Sequence, residues 1–184
     1  MTAARAGRFA DLHPADRDAR RTLIGELRQL RVDAGLTHRA VARLMGWRSP
    51  NGALSNIERG DNWRLRTLQE LARLYGRQLR VDIGAPVPDD GDPLAAMYAA
   101  VRPTTPAVAD ELARARLVND LVRIRVAAGW TLERLGAAIG VTPTAVQLWE
   151  QGTDGLMVAP AQRYGRAIGA PLTFRLVSLP GSGT

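Results

Sequence analysis

The stretch LTHRAVARLMGWRSPNGALSNIERG, residues 36–60, decides the fold that we expect for this chain. Thr37 is suited to cap a first short helix, because its hydroxyl can accept a backbone N–H that has no partner within the helix. Gly46 follows the last apolar residues at helical spacing and predicts the end of that helix. Ser49 and Pro50 predict the start of a second helix, as a cap followed by proline. The pattern is typical of two short helices joined by a tight turn.

The second helix is predicted to have one apolar face and one face of a different chemistry. Leu54 and Ile57 point inward at helical spacing. The opposite face carries small and amide-bearing side chains, namely Asn51, Gly52, Ser55 and Asn56. Amides in such positions can pair with base edges, so a helix of this kind set among arginines suits the major groove of DNA.

The composition favours a helical protein with an affinity for nucleic acid. Hydrophobic residues make up 46% of the 184 residues and aromatic residues only 5%, which favours packed helices over a sandwich of sheets. All 25 residues counted as lysine or arginine are arginine, and the formal net charge is +7. A GC-rich genome, which favours arginine over lysine, would explain the absence of lysine but not the positive net charge. Guanidinium groups pair with phosphate and guanine, so DNA is the expected partner.

Several other classes are excluded by what the sequence lacks. There is no cysteine, which excludes thiol catalysis and cysteine-ligated zinc, and His13 and His38 have no metal-ligand spacing. We expect no cofactor and no metal. No apolar run approaches the ~20 residues that cross a bilayer, and no secretory signal is recognisable, so the expected location is cytoplasmic. No pairing of a nucleophile with a base is recognisable, and we predict that the protein is not an enzyme.

The order of elements in the first half recurs in the second half. RVDAG, which ends at Gly35, is matched by RVAAG, and LTHRAVARLMG is matched by WTLERLGAAIG, both with a shift of 94 positions. The ends SNIERG and QLWEQG are only 92 positions apart, so the first copy has two additional residues in its turn. A repeat of this length and order indicates two units of one fold.

Each unit is predicted to end in a strand, because LRVDI at residues 79–83 and PLTFRLV at residues 171–177 alternate in polarity. The predicted fold is mainly α, with two helical bundles whose strands pair into a two-stranded antiparallel ribbon. The predicted division is a flexible basic arm (1–13), a first domain with its strand (14–83), a linker with a short helix (84–105), a second domain with its strand (106–178) and a tail (179–184). The acidic residues Asp89, Asp90 and Asp92 are interpreted as a solvated face of the linker, with docking on a basic surface in the absence of DNA as the alternative.

Residues 21–76 and, more weakly, 115–169 resemble the Cro-like or XRE class of phage-repressor helix-turn-helix domains. The features that carry the resemblance are the helix-ending glycines Gly46 and Gly140, the caps Thr37 and Thr131, and the ends SNIERG and QLWEQG. The resemblance implies lambda-repressor-like five-helix bundles whose third helix enters the major groove. The strands that follow resemble those of HipB-type antitoxins, in which such strands pair between protomers.

The resemblance also implies roles for individual residues. The expected base-reading residues are Arg48, Asn51, Ser55 and Asn56 in the first unit and Thr144 and Gln147 in the second. The expected phosphate-binding residues are His38, Arg39, Arg43, Arg59 and Arg64, although Arg43 and Arg59 fit a solvated surface equally well. Glu58 and Glu150 are expected to be structural, as ion-pair or capping partners.

The predicted function is sequence-specific binding of double-stranded DNA by a transcriptional regulator, more specifically a repressor that occludes a promoter. The operator would be asymmetric or loosely palindromic, bound by an intramolecular pseudo-dimer or by a homodimer. Residues 21–83 carry 12 arginines against 6 acidic residues and residues 116–177 carry 7 against 4, so the second unit either reads another half-site or serves mainly as a dimerisation partner. Two alternatives remain open, an antitoxin that also binds a toxin and a scaffold that binds no DNA.

Overall fold

The computed structural model describes residues 13–48, 52–60, 63–152 and 155–179. The helices in this part are α1 (Pro14–Asp33), α2 (His38–Leu44), α3 (Gly52–Glu58), α4 (Leu65–Leu74), α5 (Pro93–Ala100), α6 (Pro106–Ala127), α7 (Leu132–Ile139), α8 (Pro143–Gln151) and α9 (Val158–Ala167). Strand β1 (Arg77–Ile83) follows α4, and β2 (Leu172–Ser178) follows α9. The mainly α fold with two repeated helical units is therefore confirmed. Each unit has four helices among the described residues, and the five implied by the resemblance are not seen there.

The helix boundaries follow from local chemistry. Thr37 and Thr131 cap α2 and α7, each with its hydroxyl accepting a backbone N–H at 3.1 Å. Gly46 and Gly140 end these helices with φ of +67° and +72°, a conformation that glycine adopts without steric cost. In the second unit Thr142 caps α8 in the same way. The predicted start of α3 at Ser49 and Pro50 lies outside the described residues, as does most of the predicted N-terminal arm.

The two strands pair with each other within the one chain. They run antiparallel, with Val81 opposite Phe174 and Leu79 opposite Leu176. Strand β1 is longer than predicted, since it begins at Arg77, and β2 has the predicted length but lies one residue further along the chain, at Leu172–Ser178. The predicted two-stranded ribbon is confirmed.

A pseudo-twofold axis relates the two units. An antiparallel bridge joins Arg64 to Met157, and in the ribbon Val81 faces Phe174. The residues of each pair are 93 positions apart, which is the repeat distance of the last helices and strands, as Gly76 and Gly169 show. Each pair therefore joins equivalent positions of the two units, and the axis passes by both pairs.

The units interlock across this axis. Strand β1 packs against α6 of the second unit, and β2 packs against α1 of the first. Arg166 of α9 donates to the buried Asp16 of α1 at 2.7 and 2.8 Å, and Arg73 of α4 donates to the buried Asp110 of α6. The buried apolar residues of both units form one continuous cluster. The predicted domain boundaries at residues 83 and 106 remain a prediction.

The linker helix α5 packs on α6 of the second unit. Asp92 caps α5 and accepts a hydrogen bond from Asn119 at 2.7 Å, while Arg123 donates to Asp90 at 2.6 Å. Asp90 is exposed and Asp92 is half-buried, so both carboxylates remain in contact with solvent, but both are also bound by side chains of α6. No helix in the described part of the chain is both long and apolar enough to cross a membrane.

Candidate nucleic-acid interface

One buried carboxylate fixes the position of α3. Glu58, at the end of this helix, accepts hydrogen bonds from Arg31 at 2.6 and 3.1 Å, and Nε2 of His38 lies 2.9 Å from its second oxygen. Arg31 also donates to the carbonyl of Leu36 at 2.8 Å. Since Arg31 belongs to α1 and His38 begins α2, a single side chain joins three helices. The helix end is thereby held in a fixed direction.

The second unit is built in the same way around Glu150. Its carboxylate accepts hydrogen bonds from Arg125 at 2.7 and 2.9 Å and from the hydroxyl of Tyr164 at 2.7 Å. Arg125 donates further to the carbonyl of Trp130 at 2.7 Å. Glu58 and Glu150 are thus structural ion-pair partners, and their arginines occupy matching positions in RVDAG and RVAAG.

The pKa values in these clusters reflect the pairing. Burial works against ionisation of Glu58, yet the hydrogen bonds from Arg31 and His38 lower its pKa below the ordinary value. Burial likewise opposes the charge of Arg125, but the hydrogen bond to Glu150 raises its pKa. Burial, together with the adjacent Glu150 carboxylate, raises the pKa of the Tyr164 hydroxyl. The Glu58 carboxylate is therefore ionised at neutral pH.

The predicted base-reading residues of the first unit occupy different environments. Arg48 and Asn56 are exposed, and Arg59 donates a hydrogen bond to the amide oxygen of Asn56. Ser55 is half-buried on α3, so the prediction that it faces outward is only partly met. Asn51 lies outside the described residues. Leu54 and Ile57 are buried, with 3% and 4% of their surfaces exposed, as predicted for the inner face of α3.

The predicted phosphate-binding arginines are exposed around α3. Arg39 and Arg43 project from α2, Arg59 follows α3 and Arg64 precedes α4. Among the described residues no ion pair joins these four side chains to a carboxylate. Other arginines of the chain do form ion pairs with carboxylates, namely Arg31, Arg73, Arg123, Arg125, Arg166 and Arg175. The fifth candidate, His38, is half-buried against Glu58 and is part of the helix-fixing cluster.

The second unit presents a different face. Thr144 and Gln147 are exposed on α8, next to Leu148, which is 62% exposed. Trp149, the counterpart of Ile57, is only half-buried, whereas Val146, the counterpart of Leu54, is fully buried. Arg134 of the preceding helix α7 lies over the ring of Trp130, at 4.0 Å from its centroid. This face offers hydrogen bonds and apolar contact but little positive charge.

Each candidate phosphate-binding residue of the first unit is replaced in the second. The five replacements are His38 by Leu132, Arg39 by Glu133, Arg43 by Ala137, Arg59 by Gln151 and Arg64 by Met157. At the position of Arg39, the second unit thus places a carboxylate, which repels phosphate. The net charges of the two units show only part of this difference, because the replaced residues are those at the candidate phosphate-binding positions.

The side chains that fix α3 and α8 were only partly identified from the sequence. The glutamates were expected to form ion pairs, but Arg31, Arg125 and Tyr164 were not named as their partners. The repeated arginine before each helix-ending glycine, followed by the repeated glutamate, was the available signal. Within the described residues no group of three or more His, Cys, Asp or Glu side chains is placed to hold a metal ion.

Comparison with known families agrees with this architecture. A family model described as "Helix-turn-helix domain" matches residues 24–82, and another described as "Helix-turn-helix" matches residues 121–174. Searches of curated proteins and of solved structures found no match. The likeness of the strands to HipB-type antitoxins stays a prediction. Such helix-turn-helix domains are DNA-binding domains and are typically not enzymes. The chain thus carries two helix-turn-helix domains of the XRE type in tandem.

Proposed function

We propose that this protein is a sequence-specific transcriptional regulator, and more specifically a repressor that occludes a promoter. The support comes from the exposed arginines Arg39, Arg43, Arg59 and Arg64, which have no carboxylate partner among the described residues, together with the exposed Asn56 of α3. Arginine side chains neutralise phosphates and fix register, whereas amides on the recognition helix discriminate bases. As a DNA-bound protein it would be located with the nucleoid in the cytoplasm.

The observation that carries the proposal further is the replacement of all five candidate phosphate-binding residues in the second unit. Two equal units would favour a palindromic operator, because protein symmetry is mirrored in the DNA. Here the first unit binds phosphates strongly, and the second has an acidic residue, Glu133, at the position of Arg39. The operator is therefore asymmetric, with one half-site that contributes most of the affinity.

The two domains act as an intramolecular pseudo-dimer in this proposal. The ribbon and the crossed ion pairs join the units within one chain, so a second copy is not needed to place two recognition helices. These helices would lie about one DNA turn, roughly 34 Å, apart. A homodimer that binds a longer site is the alternative. No contact in the described residues favours an antitoxin role.

Selection of bound DNA from a random pool tests the proposal directly. We expect the full chain to select a site with one strongly specified half and one weakly specified half. Equal, inverted half-sites would contradict the asymmetry, and selection of no sequence would contradict specific DNA binding and favour the scaffold. Asn56→Ala in the full chain should remove the specification of the strong half only.

The part played by the second unit is tested by Glu133→Arg. If this unit lies against DNA, the new arginine should neutralise about one more phosphate and steepen the salt dependence of binding by about one ion. The matched variant Arg39→Glu should flatten the dependence by at least that amount. If the salt dependence of DNA binding is unchanged in Glu133→Arg, the second unit does not lie against DNA and serves only to pack against the first unit.

A further inference from the structure

A large cavity lies on the linker side of the molecule, and the predicted DNA-contacting residues do not line it. Its volume is about 1070 Å³, and its walls come from α5 and the loop after it, from α6 and from β1. Cavities that bind small organic ligands have volumes of about 300–1,000 Å³. The floor is apolar and belongs to the core, with Leu65, Leu79 and Leu117 each at most 5% exposed.

The roof of the cavity is the linker helix α5, whose sequence PLAAMYAA is almost wholly apolar. Yet this helix has no buried residue, and Leu94 and Met97 on it remain 48% and 50% exposed. An apolar helix is normally stabilised by burying a face against the core. Here Ala95, Tyr98 and Ala99 line an open space instead of packing on the floor. The roof therefore offers apolar surface that the protein itself does not use.

Polar contacts, not apolar packing, hold the roof in place. Asn119 donates to Asp92 at the start of α5, Arg123 donates to Asp90 before it, and Arg116 donates to the carbonyl of Tyr98 within it. All three donors belong to α6. In the equivalent helix α1 their positions are occupied by Thr22, Gly25 and Gln29. The side chains that hold α5 over the cavity are therefore present only in the second unit and are not part of the repeated pattern.

The polar groups that line the cavity have an excess of positive charge. Its cations are Arg80, Arg102 and Arg116, and its carboxylates are Asp82 and Asp120. The carboxylate of Asp82 is already bound by Arg175 at 2.7 and 3.1 Å. Asp120 lies 3.6 Å from Arg123, and burial raises its pKa. An anionic group on a ligand would meet these unbalanced guanidinium groups.

Arg116 is the best-placed of the three cations. It lies between the α6 wall and the roof, and one terminal nitrogen is engaged by the carbonyl of Tyr98. Its Nε is buried and has no hydrogen-bond partner in the described structure. A buried donor without an acceptor is unfavourable, and a ligand oxygen beside this guanidinium would remove that cost.

We propose that this cavity is a binding site for a small amphipathic anion, an apolar chain or ring system with one carboxylate or sulfonate group held by Arg116. The apolar body occupies the space between α5 and the floor, and the anionic group lies at the cationic edge. Ligand binding covers the unused face of α5 and tightens the linker against α6. The site is independent of the proposed DNA-binding function and is tested without DNA.

The test uses the full chain and 8-anilinonaphthalene-1-sulfonate, an amphipathic anion that fluoresces when it enters an apolar site. We expect saturable binding that decanoate displaces and that decan-1-ol, which has no charge, displaces much less. Binding that does not saturate would overturn the site. Equal displacement by both compounds would overturn the assignment of an anionic ligand.

Two tryptophan variants of α5 supply the matched comparison. Ala99 lines the cavity and Ala96 does not, although both are exposed alanines of the same helix. Ala99→Trp should place an indole ring in the space beneath α5 and weaken binding of the dye by about tenfold or more, while Ala96→Trp should leave it within about twofold. Equal effects of the two variants would overturn the location. Circular dichroism melting checks that both variants are folded, since the dye also binds loosely packed states.

Discussion

Glu58 and Glu150 illustrate at the level of single residues how a recognition helix is oriented before it meets DNA. Each carboxylate is nearly buried, with 11% and 13% of the side chain exposed, and each is bound by an arginine through two hydrogen bonds. A bidentate pair fixes direction as well as distance. The helices are thereby preorganised, and DNA binding need not order them.

The first prediction concerns the pH dependence that this pairing gives to stability. The folded-state pKa of Glu58 is lowered, so its stabilising contribution is present above the unfolded-state pKa of about 4.5 and is lost as pH falls through the folded-state value. Glu58→Gln should destabilise the protein by about 1–3 kcal/mol at pH 7, and the difference from the parent should shrink below pH 4.5. Urea denaturation at several pH values measures both. The exposed Glu26→Gln is the control, for which little effect is expected at any pH.

The second prediction separates base contacts from phosphate contacts in the first unit. Asn56→Ala should weaken binding to the preferred site by about 1–3 kcal/mol and relax the preference at one base pair. Arg39→Ala should instead weaken binding to all sequences alike and reduce the salt slope by about one. Fluorescence anisotropy with specific and scrambled duplexes at several salt concentrations distinguishes the two effects. The same change in sequence preference and salt slope for both variants would contradict the division of roles. Glu133→Ala, at the position of the second unit that is equivalent to Arg39, is the control.

At the level of elements, the two helix-turn-helix motifs differ most in their turns. The second unit lacks two residues between its helices, and Gly136 stands where the first unit has Ala42. A Cβ at Gly136 would lie 2.8 Å from the carbonyl oxygen of Val141, at the start of the turn. The shorter turn thus passes so close to α7 that only glycine fits at this position.

The third prediction follows from that close approach. Gly136→Ala should destabilise the protein by about 1–3 kcal/mol, because the clash is with backbone and outweighs the better helix propensity of alanine. The reciprocal change Ala42→Gly in the first unit, where the turn is longer, should cost only about 1 kcal/mol. Thermal or urea denaturation of both variants provides the comparison. A stabilised Gly136→Ala variant would show that the turn can move away.

Much of the element structure was predictable because it depends on local chemistry. The caps Thr37 and Thr131 and the helix-ending glycines specify α2 and α7 without tertiary information. The beginning of β1 at Arg77 was missed, because Arg77 and Gln78 do not alternate in polarity and are ordered by pairing with β2. Trp149 is only half-buried although its counterpart Ile57 is buried, whereas Val146 is buried like its own counterpart Leu54.

At the level of the whole molecule, the crossed contacts explain why one chain carries two domains of unequal character. Arg73 reaches Asp110 and Arg166 reaches Asp16, so the first helix of each unit is bound by the last helix of the other. The sequence repeat predicts two units and a ribbon, but it cannot predict these crossed pairs, because each joins side chains at least 37 positions apart. The crossed ion pairs therefore hold the two units together whatever residues the second unit presents around α8.

The last prediction tests whether the ribbon is intramolecular in solution. The natural chain has no cysteine, so Val81→Cys with Phe174→Cys introduces a single possible pair, at directly opposed positions of β1 and β2. Opposed residues of antiparallel strands are close enough for a disulfide. On oxidation we expect the double variant to keep the mass of one chain, 19.9 kDa, in non-reducing conditions. If β1 paired instead with β1 of a second chain, Val81→Cys alone would cross-link two chains, because this residue lies at the pseudo-twofold axis. A doubled mass for either variant contradicts the intramolecular ribbon, and the asymmetric operator would then have to be bound by four helix-turn-helix domains.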